Sequence, residues 1–461
     1  MTERMSGSDA VLWHMEDEGT PMHPLKVVVL DTTRRGRPVS IDELGLAVGT
    51  RLGLVPRATQ KVVAAPGFGG RPFWVDDPDF DLRSHLDERT LPSPGTAVQL
   101  DHLFGELATG LLPRDRAPWA MTLVHGLEGG RQAVVVRYHH AIGDGLAALH
   151  TFLAATTEAP GEVVDLAPAA TAVAVSPWRL AAKALPDTLR AWREIPGLVA
   201  ASREARRRSE PYRGNPDIPK FTNTYATPLN EYGDGTRVCA SSSLDLGTMR
   251  AVGKATGATV NGVLHAVFAG ALRDEILERG GAVDQPCIAG FGIASDRADT
   301  ERRHGNQVTP TFVHVRTDLA DPVERLEATT RSCQVAVEAR RAAGLDLTER
   351  WSAHAPRLLN VFKRLATEHT RLMPGHLVTA NVAGSRSRRW LGDIEVVDWI
   401  SFAVSVSPAP LNMTVHSYDG RMNIGLVTDP VAVPDPRGLL RRLEDELATL
   451  AAAVLPVAAV A

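Results

Sequence analysis

Short apolar runs rich in β-branched residues alternate along the chain with stretches whose apolar positions recur at helical spacing, the pattern of a mixed α/β protein. Ser8-Asp9-Ala10-Val11-Leu12-Trp13 can cap and start a short helix, and Leu25-Lys-Val-Val-Val-Leu30-Asp31 reads as a strand. Ala133-Val134-Val135-Val136 reads as a buried strand, followed after a short turn by Leu146, Leu149, Phe152 and Leu153 at helical spacing. Further on, Val238 to Leu244 reads as a strand that leads into a helix ending near Gly257, and Thr259 starts a longer amphipathic helix through Leu272 and Arg273. Cys287 to Ile293 and Thr311 to Thr317 read as strands, and Asp321-Pro322 opens a helix through Ala343. Leu411 to Asp429 reads as a hairpin with Asp419-Gly420 at the bend. Asp435 caps a closing helix that has Pro436 in its first turn and ends near Val454.

The pattern lapses between the two series. Ala159 to Pro177 is rich in Ala, Pro and Val and suits a linker. Trp178 to Arg208 then holds eight Lys/Arg against Asp187, Glu194 and Glu204, interleaved with Trp178, Leu185, Leu189, Trp192 and Leu198. Such a basic amphipathic stretch suits either an anionic lipid surface or a solvated helix packed on its own protein. Pro186 and Pro196 are expected to break any single long helix here. The division expected from sequence is thus residues 1–175, a linking and basic segment 176–235, and residues 236–461.

Composition narrows the class. A chain of 461 residues suits two domains of ordinary size, and 44% hydrophobic with 23% charged residues is globular usage. A net charge of −4 argues against generic nucleic-acid binding. Cys239, Cys287 and Cys333 are widely spaced without zinc-like pairing, so a reduced compartment and no disulfide framework are expected. The first residues lack the apolar core of a signal peptide, and no apolar run reaches the ~18 residues of a membrane span.

The candidate chemistry lies in Tyr138-His139-His140-Ala141-Ile142-Gly143-Asp144-Gly145, at the strand–turn–helix junction after Val136. Adjacent residues on a strand point to opposite faces, so one imidazole can face a given cleft and the pair cannot readily grip one metal ion. A histidine in a cleft is the natural base for taking a proton from an alcohol or amine near neutral pH. Asp144 can cap the helix that begins at Gly145 or pair with an arginine. The Gly-x-Gly of residues 290–292 lies within a strand and lacks the third glycine of a dinucleotide loop. No Gly-x-Ser-x-Gly elbow of a hydrolase occurs.

His-His-x-x-x-Asp-Gly resembles the active-site motif of the CoA-dependent acyltransferase superfamily, whose members include chloramphenicol acetyltransferases and peptide-synthetase condensation domains. The opening helix, the Pro21-Met22-His23 turn, Phe73-Trp74-Val75-Asp76, Phe80-Asp81-Leu82 and His85-Leu86 follow the order of the bacterial wax ester synthase/diacylglycerol acyltransferase family within it. The resemblance covers nearly the whole chain. Departures fall at Ala117 and Pro118, where the family has Pro-Leu before Trp119, at Gly262 for an aspartate after Asn261, and at Ala383 and Ser385 for prolines after Asn381.

The resemblance implies two chloramphenicol-acetyltransferase-like halves, each a mixed sheet with helices, with an active-site channel at their interface. It implies His140 as base, with His139 and a mainly structural Asp144 beside it. Gly145, Trp119, Asn261, Arg297 and Asn381 follow as supporting or binding residues, with Arg297 as partner of Asp144 by loose analogy and Asn381 or backbone N–H groups as oxyanion donors. Trp119 is expected to be a core or domain-edge aromatic more than a substrate contact. Acyl-CoA would serve as substrate with no metal or bound cofactor, and diacylglycerol or a long-chain alcohol as acceptor. The protein would be cytoplasmic, with peripheral contact on the inner membrane or lipid inclusions. Two other readings stay open: a glycerol-phosphate-type acyltransferase, since His139 and Asp144 also fit a His-x4-Asp spacing, and a catalytically weak lipid-surface protein of the same fold.

Overall fold

The computed structural model describes residues 2–66, 70–162, 164, 174–220, 225–295, 301–354, 356, 375–406 and 409–456. The first half runs β1 (Thr2–Arg4), α1 (Gly7–Met15), β2 (Leu25–Asp31), α2 (Ile41–Gly49), β3 (Gln60–Val63), β4 (Phe73–Asp76), β5 (Leu86–Thr90), α3 (Ala97–Thr109), β6 (Trp119–Leu127), β7 (Arg131–Tyr138) and α4 (Gly145–Ala155). After α5 (Pro177–Arg208) come β8 (Val238–Asp245), α6 (Leu246–Thr256), α7 (Val260–Glu278), β9 (Cys287–Ala294), β10 (Val308–Val315), α8 (Pro322–Ala343) and α9 (Leu347–Ser352). The chain closes through β11 (Leu377–Val382), β12 (Arg389–Leu391), β13 (Ile394–Phe402), β14 (Leu411–Tyr418), β15 (Arg421–Thr428) and α10 (Pro436–Val454).

Among the described residues these strands form two six-stranded sheets, ordered β12-β13-β2-β7-β6-β5 and β10-β9-β11-β14-β15-β8, and a three-stranded sheet β1-β4-β3. The first sheet carries α3 on one face, where Phe104 meets Phe402 at 5.0 Å, and α2 and α4 on the other. The second sheet buries one face under α6, α7, α8 and α10. α7 is buried almost throughout rather than amphipathic, because it lies between the sheet and its neighbouring helices.

Chain order and sheet order part company at residues 389–402. These residues fall in the second half by sequence, yet β12 and β13 extend the first sheet, with β13 antiparallel to β2. The chain leaves β11, passes Gly384, adds two strands beside β2 and returns as β14. At Gly384 a Cβ would stand 2.0 Å from the Ser417 carbonyl oxygen, so only glycine permits the crossing. A stack of rings spans the same seam: Phe152 of α4 lies 4.5 Å from Trp399 of β13, which lies 4.6 Å from His416 of β14.

Two local expectations are corrected. Helix α1 is capped by Ser6, whose hydroxyl accepts from Asp9 N–H at 3.1 Å, and Asp9 itself is buried in the first turn. Helix α5 continues through Pro186 and Pro196. The carbonyls those prolines leave unbonded belong to Ala182 and Trp192, both exposed, so water can satisfy them. Leu180, Ala181, Ala184, Leu198 and Ala205 anchor the opposite stripe.

Gly384→Ala is expected to lower the melting temperature by an overpacking cost of about 1–3 kcal/mol. Gly110→Ala, where a Cβ meets nothing within 4 Å, should change it little. Equal melting of both variants would contradict the crossing geometry.

Candidate active site

The motif turn is tied to the strands on either side of β7. His140 N–H donates to the Met22 carbonyl at 2.6 Å, and His139 N–H to the Pro118 carbonyl at 2.8 Å. The altered Ala117-Pro118 pair therefore still supplies the backbone acceptor. A 3-10 turn over His140–Ile142 follows, and the loop before β10 closes onto it: Gly305 N–H donates to the Ile142 carbonyl at 2.6 Å, and Asp144 N–H to the Gly305 carbonyl at 3.3 Å.

His139 is consumed by structure. Its Nδ1 accepts from Ala141 N–H at 3.0 Å, so the ring carries its proton on Nε2, which faces Glu16 Oε1 at 3.7 Å. Glu16 is held in turn by Arg114 at 2.8 Å and by Met22 N–H at 3.2 Å, and Trp13 lies 4.6 Å from the imidazole. Burial holds the His139 imidazole well below the ordinary histidine value, with the Arg114 charge pushing the same way. With Nδ1 committed to Ala141 N–H and Nε2 buried facing Glu16, His139 is a poor base for the His-x4-Asp reading.

His140 is different. Its Nδ1 is enclosed without a hydrogen-bond partner, while the residue as a whole is partly exposed. Its carbonyl accepts from Asn306 Nδ2 at 2.7 Å, and the same amide donates to Asp9 Oδ1 at 2.7 Å. Burial pushes the imidazole below 6.5, opposed by its own carbonyl and by Asp144, and assisted by Lys26. A base kept neutral in this way is ready to accept a proton.

Asp144 joins the two halves. One carboxylate oxygen caps α4 by accepting from Ala147 N–H at 3.0 Å; the other accepts from Arg302 Nη2 at 2.7 Å and Gln307 N–H at 2.9 Å. Both side chains are buried. The arginine on Asp144 is therefore Arg302; Arg297, proposed for this place by analogy, lies outside the described residues.

The other expected residues separate into groups. A Cβ on Gly145 would stand 2.8 Å from Val382 and 4.0 Å from His416 Nε2, so the head of α4 sits directly against β11 and β14. Trp119 is 6% exposed, donates to the Ala58 carbonyl at 2.7 Å, stacks on His85 at 4.4 Å and also lines the cavity described below. Asn381 Nδ2 lies 3.5 Å from Asn261 Oδ1, on the side of β11 where Thr379 meets His265 of α7. Val382, on the opposite side, faces Gly145. The described contacts thus bring Asn381 to Asn261 and not to His140. Gly262 has a packing reason, since a Cβ there would stand 2.6 Å from Thr330 Oγ1 of α8 and an aspartate has no room. Ser385 replaces a proline with a hydroxyl that donates to the Ser387 carbonyl at 2.7 Å.

A cavity of about 480 Å³ opens between the first sheet and helices α2 and α4. Its walls are apolar, among them Val28, Leu44, Met121, Val136, Phe152 and Trp399. Arg35, Glu43, Arg51, Arg303 and Asp393 carry charge along its lining, and Gly143 and Ala147 of the motif turn complete it. Lys26 lines it too. Sequence reasoning missed Lys26, Arg302, Asn306 and Gln307. The signals were present as one lysine inside an apolar strand and as the polar block Arg302 to Gln307 ahead of a strand.

A family model described as the wax ester synthase/diacylglycerol acyltransferase catalytic domain matches residues 5–264, and one described as the WS/DGAT C-terminal domain matches residues 304–451. The chain is 30% identical over 450 residues to a Mycobacterium tuberculosis protein provisionally named a diacylglycerol O-acyltransferase, covering 94% of this chain and 92% of that one. It is 25% identical over 455 residues to the O-acyltransferase WSD of Acinetobacter baylyi, covering 93% and 96%. Among solved structures, the wax ester synthase/diacylglycerol acyltransferase of Marinobacter aquaeolei VT8 superposes with a TM-score of 0.69 at 22% identity, covering 98% of this chain and 100% of that chain. The first condensation domain of the calcium-dependent antibiotic synthetase superposes at 0.62 with 14% identity, covering 99% and 98%. Both show the paired-half fold.

His140→Ala is expected to lose ~10²–10⁴-fold in kcat at unchanged melting temperature, whereas His139→Ala lowers the melting temperature. Equal loss of turnover in two fully folded variants would contradict this division. Arg302→Met strands a buried carboxylate and should destabilise by about 3–5 kcal/mol, read by thermal unfolding. With a neutral His140 imidazole as the expected base, favoured by burial, the acid limb of kcat/KM should have its midpoint below 6.5; a midpoint above that value would contradict the assignment.

Proposed function

The chain belongs to the wax ester synthase/diacylglycerol acyltransferase family, and from that premise we propose that it moves a long-chain acyl group from acyl-CoA to diacylglycerol, a fatty alcohol, or both. The observation that carries this reading is a partly exposed His140 at the seam of the halves, on a motif turn whose Gly143 and Ala147 line an apolar cavity. Nε2 takes the acceptor's hydroxyl proton as the oxygen attacks the thioester carbon. The C–S bond then breaks, and Nε2–H returns the proton to the leaving thiolate. The names of the Mycobacterium and Acinetobacter relatives support the acceptor classes.

The transfer is direct in this reading. Cys239, Cys287 and Cys333 are buried, and burial pushes the Cys287 and Cys333 thiols up to about 12, far from the thiolate a covalent route needs. The reading includes no bound cofactor and no metal: proton transfer and oxygen attack are complete with the imidazole and the two substrates.

It also includes a cytoplasmic protein with peripheral contact on a membrane or lipid inclusion. Trp178, Leu185, Leu189 and Trp192 of α5 are exposed at 76%, 45%, 52% and 70% and recur at helical spacing. Arg179, Lys183, Arg190 and Arg193 are exposed beside them. An apolar stripe flanked by cations suits an anionic lipid surface.

Product analysis with purified protein, palmitoyl-CoA, diacylglycerol and hexadecanol should yield triacylglycerol or wax ester. Phosphatidate from glycerol-phosphate acceptors, or no ester from folded protein, would overturn the reading. Trp178→Ser with Trp192→Ser should reduce co-sedimentation with anionic vesicles without loss of melting temperature; unchanged binding would remove the lipid contact.

A further inference from the structure

Lys26 is the unexplained group of the site. It lies on β2, directly opposite Val136 on β7 and Ser401 on β13, on the same face as Val28 and Leu30. It is 8% exposed and lines the apolar cavity. Its Nζ donates to the Ser401 hydroxyl, and among the described residues it forms no ion pair. An ammonium has three N–H donors, so two remain uncommitted. A buried imidazole nearby offers no relief: His416, stacked on Trp399, is fully buried with neither nitrogen partnered. Burial pushes Lys26 down to about 7, with Asp144 opposing. An unpaired ammonium in an apolar enclosure is costly unless an oxygen anion meets it.

We propose that Lys26 anchors the head oxygen of the amphiphile in this cavity: a carboxylate oxygen when a free long-chain fatty acid occupies it, and the thioester carbonyl oxygen when acyl-CoA does. The assignment rests on the acyltransferase reading for its second half. During transfer the acceptor oxygen bonds to the carbonyl carbon and the carbonyl electron pair moves onto the oxygen. Lys26 Nζ–H donates a hydrogen bond to that oxygen, and the pair returns as the C–S bond breaks. Gly143 and Ala147 line the same cavity as Lys26, which places the ammonium and the motif turn on one cavity.

The test compares palmitate with methyl palmitate, of equal chain length, by calorimetric binding to the full-length protein. The wild type should prefer palmitate by at least about 10-fold, the worth of a hydrogen bond to a charged group; equal affinities would overturn the proposal without any variant. In Lys26→Met, similar in length but uncharged, palmitate should weaken by that factor while methyl palmitate stays within about 2-fold; loss of both alike, or of neither, would overturn it. Lys26→Arg should keep the preference. With palmitoyl-CoA, kcat of Lys26→Met should fall about 10²-fold with KM little changed, as for a lost oxyanion donor; unchanged kcat would remove the carbonyl-oxygen role and leave a fatty-acid site. Binding does not require turnover, so a preference for palmitate in a protein that makes no ester would retain the anchor and dismiss the acyltransferase reading.

Discussion

One carboxylate, that of Asp144, holds the site together. It is supplied by the first half, and two of its partners, Arg302 and the Gln307 amide, come from the second. Burying a charge pair is repaid only when the remaining donors and acceptors are also satisfied. That condition is met here: the second oxygen caps α4, and Arg302 donates further to the His304 and Gly305 carbonyls. The same loop places Asn306 between Asp9 and the His140 carbonyl. The turn that carries His140 is thus shaped from three separate stretches of chain, and its geometry exists only when the halves are docked.

Within that frame, burial sorts two neighbouring histidines into different tasks. His139 is fully buried with both ring nitrogens facing groups of the protein, whereas His140 is partly exposed. Desolvation drives both towards the neutral form, and the neutral form is the one a general base needs. The apolar cavity that reaches the motif turn at Gly143 and Ala147 offers space for a long chain.

The departures from the family pattern have local reasons. Pro118 still lends its carbonyl to His139, Gly262 is forced by Thr330, and Ser385 replaces a ring with a hydrogen bond. No reason specific to Ala383 is visible, and its side chain makes no described polar contact. None of these departures disturbs the hydrogen bonds that Asp144 and the His140 carbonyl make to Arg302, Gln307 and Asn306.

The sequence by itself determined what depends on neighbours a few residues apart. The period of apolar positions placed β2, β8 and β9, the caps at Asp321 and Asp435 placed α8 and α10, and Asp419-Gly420 placed the β14–β15 bend. The strand–turn–helix around His140 was legible for the same reason, because strand alternation and an N-cap are local rules. Tertiary structure alone decided what depends on docking. It put Arg302 on Asp144, turned Asn381 towards Asn261, moved β12 and β13 into the first sheet, and carried α5 through two prolines. Each of these outcomes is set by which surfaces close against one another across hundreds of residues. Lys26 shows the difference most plainly: a lysine in an apolar strand is readable as a letter, but only the packing of α2, α4 and β13 around it makes it part of a cavity lining.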